Sequence, residues 1–268
     1  MKFYREILIE IAKRAGEETL KYYLKDFVTE YKSDNSPVTN ADIAANNVIV
    51  SELKKTGLII ISEESSQIKY EDRKNLTEYW IVDPIDGTKQ FVKGEDEFTV
   101  NIALIRNNKP VEGVVFAPAL KKLYYGNIVE GAFLYDFSGS EENIKSLYLI
   151  KKDGLSMIVS KSHLNKKTED LLAQIKLEIP DLSIHSVGSS LKFCRIADGS
   201  IDVYPRIGSI SEWDIAAGHA VLMSAGGYVK DLNTGHEILY NSPNLRTPDF
   251  IAYLDGAKYD MIKKIISV

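Results

Sequence analysis

Apolar positions outline this chain before any chemistry is considered. Tyr4, Ile7, Leu8, Ile11, Ala15, Leu20, Tyr23, Leu24 and Phe27 recur at helical spacing, which predicts a long amphipathic opening helix. The polar turn Ser33-Asp34-Asn35-Ser36-Pro37 separates it from a second helix beginning near Asn40, with Ile43, Val50 and Leu53 as its apolar stripe. Leu58-Ile59-Ile60-Ile61 predicts a buried strand that ends where Ser62, Glu63 and Glu64 appear. Tyr79 to Val82 predicts another short strand, ending at a pair of aspartates.

Phe98 to Ile105 and Val111 to Phe116 flank the turn-rich stretch Asn107-Asn108-Lys109-Pro110 and predict a hairpin. Leu123 to Tyr125 and Ala132 to Tyr135 extend the same sheet. Around Lys151-Lys152-Asp153-Gly154 the texture changes to strands alternating with helices. Met157 to Val159, Ile184 to Val187 and Ile201 to Tyr204 predict strands; Lys167 to Ile175, Ser189 to Ala197 and Trp213 to Ala225 predict helices. The pattern is α/β overall, with an α+β N-terminal half over 1–152 and an α/β C-terminal half over 153–268. No internal repeat or low-complexity segment interrupts it.

Composition narrows the function classes. The chain has 268 residues, 44% of them hydrophobic and 26% charged, with a formal net charge of -5, so it suits a globular protein rather than a general binder of nucleic-acid polymers. Its single cysteine, Cys194, excludes an intramolecular disulfide and fits a reducing compartment. Lys2, Arg5, Glu6 and Glu10 interrupt the early apolar residues, so no signal-peptide core forms, and no apolar run approaches membrane-spanning length. The expectation is a cytoplasmic protein, with peripheral contact at the cytoplasmic face of the inner membrane left open.

Candidate chemistry concentrates in Trp80-Ile81-Val82-Asp83-Pro84-Ile85-Asp86-Gly87-Thr88. Proline fixes φ and removes a donor while glycine permits a sharp turn, so Asp83 and Asp86 can point into one small space. Carboxylates crowded in that way repel unless protons or cations neutralise them. Glu63, Asp83, Asp86 and Asp214 all stand where a predicted strand ends or a helix begins, where acids from distant segments can converge. Taken singly, each acid reads equally as a helix cap or a turn residue.

Asp83-Pro84-Ile85-Asp86-Gly87-Thr88 and Trp213-Asp214-Ile215-Ala216-Ala217-Gly218 resemble the two signatures of the inositol monophosphatase superfamily, lithium-sensitive and magnesium-dependent phosphatases. The acidic pair Glu63-Glu64 fits that family's third element. The resemblance implies a layered αβαβα sandwich, with two or three Mg²⁺ ions as cofactors. It implies that Glu63, Asp83 and the Ile85 carbonyl hold one ion, and that Asp83, Asp86 and Asp214 hold a second. Thr88 and Asp42 resemble the pair that orients and deprotonates the attacking water; without the resemblance, Asp42 reads equally as compensation of a helix dipole.

Within the superfamily, Gly87-Thr88-Lys89-Gln90-Phe91, Glu97-Phe98-Thr99-Val100-Asn101, Gly188-Ser189-Ser190-Leu191-Lys192-Phe193-Cys194 and Tyr204-Pro205-Arg206 are similar to the CysQ-type 3'(2'),5'-bisphosphate nucleotidases. That similarity implies a small nucleotide substrate contacted by Gly87, Thr88, His163, Ser189, Lys192 and Arg206. The favoured reaction is hydrolysis of adenosine 3',5'-bisphosphate to AMP and phosphate, with 3'-phosphoadenylyl sulfate as a further substrate. Ser189 and Lys192 are expected on one face of the helix, and Arg206 is expected to grip the phosphate that is not cleaved. The plainer alternatives are a solvated Lys192, a surface ion pair for Arg206, and a helix cap at His163. Cys194 is expected to pack rather than react. An inositol-1-phosphate or sugar-phosphate phosphatase, or a non-catalytic binder of nucleotide or metal, remains the alternative function, and the expected assembly is a monomer or homodimer.

Overall fold

The structure is a computed structural model that describes residues 2–25, 29–31, 37–139, 143–148, 153–161 and 165–266. Helix α1 (Arg5–Tyr22) precedes two short paired strands, β1 (Thr29–Tyr31) and β2 (Pro37–Thr39), and helix α2 (Asn40–Leu53). Next come β3 (Ile59–Ser62), α3 (Tyr70–Arg73), β4 (Glu78–Asp86) and the short helix α4 (Thr88–Val92). Strands β5 (Thr99–Arg106), β6 (Lys109–Ala117), β7 (Lys122–Asn127), β8 (Gly131–Asp136) and β9 (Asn143–Leu147) follow. Together, β3 to β9 form a seven-stranded sheet in sequential order, parallel at β3–β4 and antiparallel from there on.

The chain continues through β10 (Ser156–Ser160), α5 (Lys166–Glu178), β11 (Ser183–Val187), α6 (Leu191–Ala197) and β12 (Val203–Arg206). It finishes with α7 (Trp213–Ser224), β13 (Tyr228–Asp231), β14 (Phe250–Tyr253) and α8 (Gly256–Ile266). These strands build a five-stranded mixed sheet in the order β11-β10-β12-β14-β13.

Side-chain alternation explains how the sheets stack. On β4, Trp80 and Val82 pack with Leu8, Ile11 and Ile49 from α1 and α2, whereas Tyr79 and Ile81 pack with Ile215 and Val221 of α7. The five-stranded sheet divides likewise: Tyr204, Phe250 and Ala252 face α6 and α7, and Met157, Val203 and Ile251 face α5 and α8. Successive strand residues point to opposite faces, so each sheet needs a helical layer on both sides. The result is the expected αβαβα sandwich, and α7, buried from both directions, forms its central layer with α6.

Several expectations need correction. The first helix ends at Tyr22, because Leu24 adopts a left-handed φ of 57° that no helix continues; Phe27 and the turn 33–36 lie outside the described residues. Helix α2 buries Ala41, Ala45, Ile49 and Leu53, while Ile43 stays 50% exposed. Small alanines let α2 pack on Ala12 and Ala15 of α1, so the buried stripe is not the one with the largest side chains. Strand β4 continues through the aspartate pair instead of stopping at Val82, and the register shift between Asp83 and Asp86 absorbs the proline. Helix α6 starts at Leu191, since Ser189 has φ 47°, and the following strand is shifted to Val203–Arg206.

Candidate active site

The β4 alternation decides where the first acid points. Asp83 shares its parity with Tyr79 and Ile81, the residues that face α7, so its carboxylate is delivered towards the helix that carries Asp214. Its Oδ1 accepts from the Ile85 amide at 3.1 Å, and the Ile85 carbonyl accepts from the Thr88 hydroxyl at 3.1 Å. Pro84 between them has no amide to satisfy. The bulge thereby turns two aspartates and one carbonyl toward a common space.

Glu63 arrives from the end of β3, where its amide donates to the Val82 carbonyl at 3.1 Å and ties that end to β4. Asp214 occupies the first turn of α7, and its Oδ2 accepts from the Ser211 amide at 3.0 Å. One carboxylate oxygen from each of Glu63, Asp83 and Asp214 lies within 4.8 Å of the others. Asp86 stands beside this trio, with Oδ2 taking the Ser190 hydroxyl at 2.8 Å; the same hydroxyl reaches the Asp214 carbonyl at 2.9 Å.

Burial, then the charges of Glu63, Asp86 and Asp214, pushes the Asp83 carboxyl well above its ordinary range. Asp214 is pushed the same way by burial, Asp86 and Glu63. Asp86 is also raised by burial, against the opposing effects of the Lys192 cation and of hydrogen bonds from Ser190 and Gly87. Carboxylates gathered with mutual repulsion and all-oxygen donors suit a hard divalent cation, which relieves that repulsion on binding. The residues present therefore fit a metal.

Asp42 is held close by. It is the third residue of a capping box in which its Oδ2 accepts from the Thr39 amide and hydroxyl, each at 2.7 Å. Burial lifts its carboxyl to about 6, against those Thr39 bonds and with the help of Glu64 and Glu63. Its Oδ1 is 3.4 Å from the Thr88 hydroxyl, so the expected pair is in contact.

The remaining expected residues surround the same opening. A cavity of about 190 Å³ is lined by Glu63, Asp83, Asp86, Gly87 and Thr88 together with Ser160, Gly188, Ser189 and Lys192. A smaller cavity of about 60 Å³ adjoins it and is lined in part by Lys192, Tyr204, Arg206 and Asp214. Lys192 is only 8% exposed, so it is not a solvated helix residue. Its ammonium donates to the Ser189 carbonyl, and burial lowers it to about 8 even though Asp86 favours its charge. Ser189 and Lys192 do not share a helix face, since Ser189 precedes α6 in a left-handed conformation. Arg206 is buried as well, with Nε donating to the Gly208 carbonyl at 3.1 Å. His163 lies outside the described residues. Cys194 is fully buried in the core around α7 and does not line either cavity.

The first amides of α7 do not serve as open donors, because Asp214, Ile215 and Ala216 donate to Ser211 and Glu212 carbonyls at 3.0–3.3 Å. Sequence reasoning gave no role to Thr39 or Ser190. The capping pattern Thr39-Asn40-Ala41-Asp42 could have exposed the first; the second depends on a contact between distant segments.

This geometry has relatives. The model of the inositol monophosphatase family matches residues 1–260. The chain belongs to that family. The 3'(2'),5'-bisphosphate nucleotidase CysQ of Salmonella typhimurium is 41% identical over 231 residues, 84% of this chain and 89% of that protein. The Escherichia coli K12 protein of the same name is 39% identical over 227 residues, covering 83% and 88%. Among solved structures, CysQ from Bacteroides thetaiotaomicron superposes with a TM-score of 0.82 at 36% identity, over 93% of this chain and 96% of that one. The similarity to CysQ-type bisphosphate nucleotidases read from the motifs thus extends over most of the chain, and the acidic cluster is that of a metal-dependent phosphatase. No helix among the described residues is long and apolar enough to cross a membrane.

Proposed function

We propose that this protein hydrolyses adenosine 3',5'-bisphosphate to AMP and phosphate with two or three Mg²⁺ ions, and accepts 3'-phosphoadenylyl sulfate as a second substrate. The observation that carries this reading is the shared opening: the acidic trio lines the larger cavity, and the buried cations Lys192 and Arg206 line the smaller one that adjoins it. A single phosphate ester would need the acidic cluster alone, whereas a bisphosphate uses the buried cations as well.

Glu63, Asp83 and the Ile85 carbonyl would hold one ion, and Asp83, Asp86 and Asp214 another. Bound there, divalent cations polarise the phosphoryl oxygens and ease deprotonation of water. The protein's own groups do the rest. Thr88 orients the attacking water and passes its proton toward Asp42, whose carboxyl near 6 is largely ionised at neutral pH and well placed as a base. The water oxygen bonds to phosphorus as the bond to the 3'-oxygen breaks, and that oxygen leaves as a hydroxyl after taking up a proton. Lys192 and Arg206 hold the 5'-phosphate, with Gly87, Ser189 and His163 completing the contacts to the nucleotide. The N-terminal half, 1–152, would supply most metal ligands, and 153–268 the nucleotide side. The enzyme would act in the cytoplasm as a monomer or homodimer.

The test is phosphate release from adenosine 3',5'-bisphosphate and inositol-1-phosphate, assayed side by side with and without Mg²⁺. The expected result is Mg²⁺-dependent turnover with a higher kcat/KM on the bisphosphate; preference for inositol-1-phosphate would overturn the substrate assignment.

A further inference from the structure

The segment before β5 meets two segments of the cavity lining at one residue. The backbone carbonyl of Glu97 is pressed against two glycines: a Cβ at Gly87 would lie 3.0 Å from it, and one at Gly188 would lie 2.9 Å from it. Gly87 belongs to the metal-side loop and Gly188 to the segment that leads into Ser189 and Lys192, and both line the larger cavity. Any side chain at either position would wedge that junction apart, because the neighbour is backbone and cannot swing away.

The Glu97 side chain fastens the same junction. Its Oε2 accepts from the Gly188 amide at 3.1 Å and lies 3.3 Å from the Lys161 ammonium, which also pairs with Glu95 at 2.8 Å. Gly188 leads directly into Ser189, whose φ of 47° is unfavourable for a residue with a side chain and must be held by its surroundings. Ser189 in turn offers its carbonyl to Lys192, and Ser190 places its hydroxyl on Asp86 and the Asp214 carbonyl. Orientation of the Gly188 peptide therefore propagates to three groups at the cleft.

We propose that Glu97 is a positioning residue that sets the nucleotide-side wall against the metal-side loop through its hydrogen bond from the Gly188 amide. It is neither a member of the acidic trio nor among the lining residues of either cavity, so its effect falls on how well the non-reacting part of the substrate is held. The acceptor oxygen matters, and the ion pair with half-exposed Lys161 is secondary.

This inference rests on the bisphosphate reading above, and the experiment separates the two. Glu97→Ala, Glu97→Gln and Lys161→Met are compared with wild type on adenosine 3',5'-bisphosphate and on a small monoester, p-nitrophenyl phosphate. Glu97→Ala is expected to raise KM for the bisphosphate roughly ten-fold, the scale of one lost hydrogen bond to a charged group. Its kcat, its Mg²⁺ requirement and its KM for the small monoester should stay within about three-fold of wild type. Glu97→Gln keeps an acceptor and Lys161→Met keeps the carboxylate, so both should stay within about three-fold on either substrate. Hydrogen exchange at the Gly188 amide gives a readout independent of activity: protection should fall in Glu97→Ala and persist in the other two. Equal losses on both substrates, a Glu97→Gln variant as impaired as Glu97→Ala, or unchanged Gly188 protection in Glu97→Ala would overturn the proposal. A wild-type enzyme inactive on the bisphosphate would refute the substrate reading instead, and the exchange measurement would then decide the role of Glu97.

Discussion

Replacing Asp83 with asparagine removes one charge from the most crowded part of the molecule while changing its shape very little. The carboxyl is buried, and its partner oxygens on Glu63 and Asp214 lie within 4.8 Å. Two unit charges at that separation repel by about 3 kcal/mol at an effective dielectric constant near 20. Protonation already relieves part of this in the metal-free protein, as the upward shifts of Asp83 and Asp214 show, so about 1–3 kcal/mol remains to be recovered. The asparagine carbonyl can keep the bond from the Ile85 amide, and its new donors face carboxylate acceptors. At roughly 2–4 °C per kcal/mol, the variant should melt roughly 3–10 °C above wild type in EDTA at pH 7.5. Saturating Mg²⁺ should close or reverse the gap: an ion at a hundred times its Kd stabilises wild type by about 2.7 kcal/mol and has little to bind in the variant. Thermal denaturation with EDTA and with Mg²⁺, together with phosphate release, is the assay. Turnover should be lost. A variant less stable than wild type in EDTA, or one that retains the Mg²⁺ shift or near-normal activity, would refute the reasoning.

Asp42→Asn and Thr88→Ala should lower kcat roughly 10²- to 10⁴-fold with little change in Mg²⁺ affinity; a change confined to KM in steady-state assays would remove the proton-transfer assignment. Arg206→Ala should cost about ten- to a hundred-fold in kcat/KM on adenosine 3',5'-bisphosphate, and much less on p-nitrophenyl phosphate; equal losses would indicate a structural role. In the metal-free protein, the Asp42 contribution to stability should grow as the pH falls from about 7 toward 5. Asp42, raised to about 6, takes up its proton in the folded state before the unfolded chain does, so its contribution is complete below the unfolded carboxylate pKa of about 4 and is lost as pH rises through 6. That group alone supplies about 1 kcal/mol over this interval, while buried His219, lowered to about 3, acts in the opposite sense. The Asp42 part is therefore read as the difference in EDTA melting profiles between wild type and Asp42→Asn, and identical pH dependence in the two would contradict the burial argument.

The acids could be read from the sequence because Glu63 and Asp83 follow apolar runs, Asp214 opens a predicted helix, and proline and glycine around Asp83 and Asp86 restrict the chain to turning there. The α/β texture was equally legible from the periodicity, whereas the layering came from the resemblance to the superfamily. Other features depend on packing between distant segments and leave no local pattern. Lys192 looks like any helical lysine, yet it is buried behind Asp86. Ser190 is one of two adjacent serines, and contact with Asp86 and Asp214 alone distinguishes it. The α2 stripe misled because alanine carries little hydrophobic weight in a periodicity count but is what a close helix pair requires. Strands β13 and β14 and helix α8 were not anticipated, because the stretch from Gly226 onward alternates short apolar pieces with turns.

The placement of α7 between the two sheets has a consequence for how the protein assembles. Asp214 sits on a helix that both sheets cover, so the last carboxylate joins the trio after β4 and the five-stranded sheet have each found that helix. Chain segments far apart in sequence must close around it, and such long-range closure is slow. Cation binding is then a late event in refolding, and a metal-sensitive probe would report the docking of the two sheets rather than the formation of either.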